Sequence, residues 1–133
     1  MKYLILSACI LFASASALQA QINTSDDTPL RVIAIFAHPD DADSKMGATA
    51  AMMAEMGHEV KFLSLTNGNA GHQEKGGGAL ARIRRAEAEE AGRRLGLVEY
   101  EVFDNHDSEL IPDLHIRLDV IRAIREWNAD VTT

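Results

Sequence analysis

The 133-residue chain holds one cysteine, Cys9, and three prolines. A lone thiol near the amino terminus excludes a disulfide framework, so stability must come from packing or from a metal bound by other side chains. Aromatic residues make up 5% of the chain, which leaves aliphatic residues and methionine to build most of the core. Basic residues are also in the minority, 13 Lys and Arg against 20 Asp and Glu, for a formal charge of −7. That balance argues against a nucleic-acid partner, because binding a phosphate backbone needs a basic surface. No apolar run reaches the length of a membrane span. What is present, 47% hydrophobic and 25% charged residues, has the composition of one globular domain.

The opening, "MKYLILSACILFASASALQAQ", has a short basic start, an apolar stretch from Tyr3 to about Ala13, and then small residues. This is the pattern of a secretory signal over residues 1–20, cut after Ala17 or Ala20, and it predicts a periplasmic or extracellular protein. Residues 21–30, "QINTSDDTPL", are polar and aperiodic and read as a linker. The folded domain is expected over residues 31–133.

Within that domain, apolar strands alternate with amphipathic helices. "RVIAIFA" is the continuous apolar run of a central parallel strand. A helix follows, with Met46, Ala50 and Met53 on one face and Gly57 as its stop, and Met52, Met53 and Met56 read as core filler. "HEVKFLSLTNG" gives a second strand, "ALARIRRAEAEEAGRRLG" a helix ending at Gly96, and "VEYEVFD" a third strand. "DLHIRLDVIRAIREWNA" predicts a third helix with Leu114, Leu118, Ile121 and Ile124 inward, and "DVTT" the start of a fourth strand. The fold class is therefore α/β, a Rossmann-like three-layer α/β/α sandwich with a mostly parallel sheet, expected to be cut short after the fourth strand begins.

The first strand runs directly into "HPDD", residues 38–41. Ligands of open α/β sheets bind beyond the carboxyl ends of strands, and these residues occupy that edge. Imidazole and carboxylate suit zinc, and Pro39 forces a turn that allows His38 and Asp41 to converge on one ion, with Asp40 over its water. The competing reading makes Asp40 or Asp41 an ordinary helix N-cap.

Three later motifs accompany this one: "SLTNGNAG", "RRAEAEEAGRRLG" and "DNHDSEL". In this order and spacing the sequence resembles the PIG-L/LmbE-type de-N-acetylase family over residues 31–131, about the N-terminal half to two-thirds of a family member. The resemblance implies a metal-dependent hydrolase that removes the N-acetyl group from an N-acetylated sugar or glycoconjugate. It implies Zn2+ as cofactor, with another divalent metal as the alternative, held by His38 and Asp41 with Asp40 as general base. It implies Arg84 as a substrate contact, and a pocket lined by the glycine-rich loop that carries Asn67 and His72. Asp107 is implied as a second catalytic residue, orienting a histidine of a later motif. The third metal ligand is expected beyond residue 133.

Other readings of the residues stay open beside this. Leu80, Arg84, Glu87, Ala91 and Leu95 share one helical stripe, so Arg84 and Glu87 equally suit a structural ion pair. His72 and His106 lie at the same edge as His38, as substitute ligands or as ordinary loop histidines. The role of Asn69 is open. The glycine loop lacks the Lys-Ser/Thr of a P-loop, which weakens a nucleotide-binding reading. A truncated, non-catalytic fragment with weak metal or sugar binding is the main alternative.

Overall fold

In the computed structural model, which describes residues 28–133, four strands and three helices alternate along the chain. The expected signal segment, residues 1–20, and the first seven residues of the expected linker lie outside the described residues. The strands are β1 (Arg31–Phe36), β2 (Glu59–Ser64), β3 (Glu99–Val102) and β4 (Val131–Thr132). The helices are α1 (Asp41–Glu55), α2 (Gly77–Leu95) and α3 (Leu114–Trp127). Among the described residues, no helix is long and apolar enough to cross a membrane.

All strand pairs are parallel, in the order β3-β2-β1-β4. The chain steps outward from β1 to β3 and then returns to the free side of β1, where Ile35 N–H donates to the Thr133 carbonyl at 2.8 Å. Strand order therefore reverses beside β1, and its carboxyl end is the switch-point crevice where such sheets bind ligands.

Period-2 alternation sorts β1 between two cores. Val32 and Ala34 join Val60, Phe62, Tyr100, Ala42, Ala50 and Ala88 beneath α1 and α2. Ile33 joins Leu63, Ala123 and Trp127 beneath α3, completing the three layers. The helix stops are as the sequence predicts, with Gly57 at φ 90° and Gly96 at φ 74°, both in the left-handed region that glycine tolerates. Lys61 is buried on the α3 face, where it pairs with Glu99 at 2.9 Å and Glu101 at 2.6 Å. Burial acts to lower its pKa, but the hydrogen bonds to Glu101 and Glu99 outweigh it and the net shift is upward.

Two side-chain expectations are corrected. Leu114, Leu118 and Ile121 are 70%, 48% and 42% exposed rather than inward. Ala123 and Trp127 pack against Ile33 and Leu63 of the sheet instead, and Ile124 packs on this core as expected. Two apolar stripes compete for one sheet face, and the tryptophan decides it. Arg31 stacks 4.3 Å over the Trp127 ring and donates from Nε to its carbonyl at 2.7 Å. Asn128, left-handed at φ 53°, then leads the chain into β4 and fixes the rotation of the helix. Met52 and Met56 are likewise exposed, at 63% and 70%, while Met46 and Met53 pack on the core. Met52 falls beside the inward stripe, and Met56 lies past the last turn of α1.

Candidate active site

His38 stands two residues beyond β1, and the turn through Pro39 brings it back over the start of α1. Its Nδ1 lies 3.0 Å from Asp41 Oδ2, and its backbone N–H donates to the same oxygen at 3.1 Å. The two expected metal ligands thus converge. On the other side of the ring, Nε2 lies 3.1 Å from Asp107 Oδ1. Asp107, which the resemblance assigns to a later histidine, is paired here with His38 itself, and it is 8% exposed. Lys45 donates to Asp41 Oδ1 at 2.6 Å. That bond is the main cause holding the Asp41 carboxyl below the usual aspartate value; partial burial opposes it, and the His38 donors add to it.

Asp40 occupies the N-cap of α1, yet its side chain makes no capping hydrogen bond. The ordinary explanation for an aspartate at this place does not apply, and its carboxylate remains exposed. With Pro39, Asp43, Arg84, Glu87 and Ala88 it lines a cleft of about 240 Å³. Arg84 makes the ion pair with Glu87 that its helical stripe suggested, at 2.9 Å, and also lines the cleft with Asp40.

The loop after β2 supports the cluster from below. Thr66 donates from N–H and Oγ1 to the Ala37 carbonyl, at 3.0 and 2.8 Å, which anchors the chain entering His38. Asn67 is buried, and both ends of its amide are used within the scaffold, Nδ2 donating to Asp104 at 3.0 Å and Oδ1 accepting from Asn69 N–H at 3.1 Å. Asn69 in turn accepts the Asp107 N–H at 2.9 Å. Sequence reasoning had no signal for that contact, because it joins residues 38 positions apart. His72 is exposed, with Nδ1 accepting from the Glu74 and Lys75 N–H groups at 3.1 Å each, and His106 Nδ1 lies 2.6 Å from the Asp107 carbonyl oxygen. Neither ring is turned to His38. Ser108, next to Asp107, holds φ 69°, uncommon for serine, so the surrounding structure imposes this turn.

Gly68 explains how the loop comes so close. Its φ is +64°, and a Cβ there would stand 3.1 Å from Pro39 Cδ and 3.2 Å from Arg84 Cγ. Gly68→Ala is expected to cost about 1–2 kcal/mol from the left-handed backbone alone, measured by urea denaturation, with further loss as Pro39 and Arg84 are displaced.

The profile of the GlcNAc-PI de-N-acetylase family, PIG-L, matches residues 33–133. The chain belongs to the PIG-L family. The diacetylchitobiose deacetylase of Thermococcus kodakarensis is 30% identical over 116 residues, covering 86% of this chain and 43% of that protein. The structure of N,N'-diacetylchitobiose deacetylase from Pyrococcus horikoshii, complexed with its inhibitor MPG, superposes with a TM-score of 0.71 at 29% identity, covering 87% and 44% of the two chains. The chain thus spans less than half the length of these PIG-L relatives. GalB of Pseudomonas putida KT2440, a 4-carboxy-2-hydroxymuconate hydratase, shares the fold with a TM-score of 0.69 at 23% identity over 76% of this chain and 45% of its own. One fold serves different reactions, so function has to be argued from the site.

Fit to a metal ion rests on the donors. His38 Nδ1 and Asp41 Oδ2 form a nitrogen and oxygen pair at 3.0 Å, near the roughly 3.4 Å that separates two donors of a tetrahedral zinc. Asp107 stands against Nε2, the place where an outer carboxylate usually orients an imidazole that binds metal. No group of three or more His, Cys, Asp and Glu among the described residues is arranged to hold a metal. The fit extends to two ligands and their support.

Proposed function

We propose that this PIG-L chain carries the base and two of the metal ligands of an exported, zinc-dependent hydrolase that removes the N-acetyl group from an N-acetylated sugar. The observation that carries this reading is the pairing of His38 Nδ1 with Asp41 Oδ2 at 3.0 Å beside an Asp40 that caps nothing. His38 and Asp41 would hold the ion. Bound there, zinc supplies Lewis acidity toward the amide carbonyl and makes water a nucleophile near neutral pH. Asp40, exposed in the cleft, takes the proton from water at its carboxylate and passes it to the leaving amine. Arg84, steadied by Glu87, donates hydrogen bonds to the sugar, and Asp107 keeps His38 Nε2 engaged so that Nδ1 faces Asp41. The known activity of the chitobiose deacetylases supports an N-acetylglucosamine unit as the substrate group.

A second reading, weak metal or sugar binding without turnover, is favoured by one observation: two protein donors converge among the described residues, not three. Zinc content and acetate release from N,N'-diacetylchitobiose separate the two. Zinc-dependent acetate release, abolished by a chelator and restored by the metal, is the expected result. Bound zinc without acetate favours the second reading, and a chain that takes up no zinc removes the metal assignment.

A further inference from the structure

The turn that carries the candidate ligands is pinned from a strand that is not a sheet neighbour of β1. We infer that Tyr100, in β3, is a positioning residue for the His38–Asp41 turn, acting through a hydrogen bond from its hydroxyl to the Pro39 carbonyl. Within the turn, the His38 carbonyl accepts from Asp41 N–H at 3.2 Å and the Asp40 carbonyl from Ser44 N–H at 3.4 Å, both local bonds. Pro39 is buried, has no N–H of its own, and its carbonyl takes its bond from Tyr100, 61 residues away. β2 lies between β3 and β1, so the phenol spans a whole strand to reach it.

The ring is held on two sides. Phe62 meets it edge-on at 5.4 Å and 89°, and a Cβ at Gly92 would come within 3.1 Å of Tyr100 Cβ, so α2 lies directly against it. Such a ring has little freedom, and the hydroxyl arrives at a fixed point. Burial, the charges of Asp43, Asp40 and Asp41, and a hydrogen bond with the Asp43 side chain push the phenol pKa upward, so the hydroxyl keeps its proton across the physiological range. Pro39 sits between the two ligands and precedes the proposed base. A shift of its carbonyl moves all three side chains together.

Tyr100→Phe removes the hydroxyl and keeps the ring. Trp127→Phe serves as control, a core change on the opposite face of the sheet with no link to the turn. In metal-free protein, amide exchange of Asp40, Asp41 and Ala42 is expected to rise about 10-fold more in Tyr100→Phe than in the control after correction for global stability. An increase that merely follows global stability in both variants overturns the inference. The second measurement rests on the zinc reading: Tyr100→Phe weakens zinc binding by about 10-fold, as loss of an outer support does, and the control leaves it unchanged. Equal zinc affinity in both also overturns it. If the parent chain takes up no zinc, the metal reading fails and amide exchange alone decides the role of Tyr100. Should Tyr100→Phe not fold, 19F NMR of the 3-fluorotyrosine-labelled parent replaces it. A Tyr100 resonance that moves on zinc addition supports the inference, and one that stays fixed in zinc-loaded protein opposes it.

Discussion

On the proposed assignment, His38→Ala and Asp41→Ala are each expected to weaken zinc binding by about 100-fold or more, because each removes one of two converging donors, while Asp40→Ala is expected to leave the affinity within a few-fold of the parent. Competition titration against a chromophoric chelator measures all three. The contrast follows from what each carboxylate touches. The Asp41 carboxylate holds the His38 ring, the His38 N–H and Lys45, whereas the Asp40 carboxylate makes no capping hydrogen bond to the helix it begins. The same contrast extends to stability. Losing a working N-cap costs about 1 kcal/mol, as expected for Asp113→Ala, since Asp113 accepts from Ile116 N–H at 3.0 Å. Asp40→Ala is expected to change stability by less than about 0.5 kcal/mol, like other surface changes away from such features. Under the proposed function, acetate release is expected to fall in Asp40→Ala without loss of metal. Equal zinc affinity in the three variants would refute the assignment of roles.

The largest effect on folding is expected at Phe62. It is fully buried in β2, flanked by β1 and β3, and meets the rings of Phe36 at 6.2 Å and Tyr100 at 5.4 Å. Phe62→Ala removes its transfer free energy and leaves a cavity that a central strand cannot easily close, a combined cost of about 3–5 kcal/mol. Against the lower end of the about 5–15 kcal/mol typical of a domain, this leaves little or no folded margin. Urea denaturation followed by circular dichroism reads the change. A loss below about 1 kcal/mol would mean that the core beneath α1 and α2 is less tightly packed than the structure describes. Because Tyr100 leans on this ring, a surviving Phe62→Ala fraction should also show a loosened His38–Asp41 turn.

Much of the architecture was legible because strand and helix periods are local. The apolar run at β1, the stops at Gly57 and Gly96, and the placement of His38 past a strand end depend on neighbours a few residues apart. The convergence of His38 and Asp41 belongs to the same class, since a four-residue proline turn confines both side chains. Asp107 was legible as a residue at the right edge but not as the partner of His38, because that contact joins two loops. Asn67 and His72 were placed correctly on the loop, but whether a loop amide faces a ligand or its own backbone is settled by three-dimensional hydrogen bonding.

By itself the sequence determined which segments become strands and helices, and that an imidazole and two carboxylates stand at the carboxyl end of the first strand. Only the tertiary structure decided that α3 buries the stripe of Trp127 and leaves Leu114, Leu118 and Ile121 exposed, that Asp107 meets His38, and that Tyr100 reaches Pro39. The physical reason is range. Periodicity specifies which faces a segment offers, whereas the face that is buried depends on the volumes and hydrogen-bonding groups that distant segments bring to it.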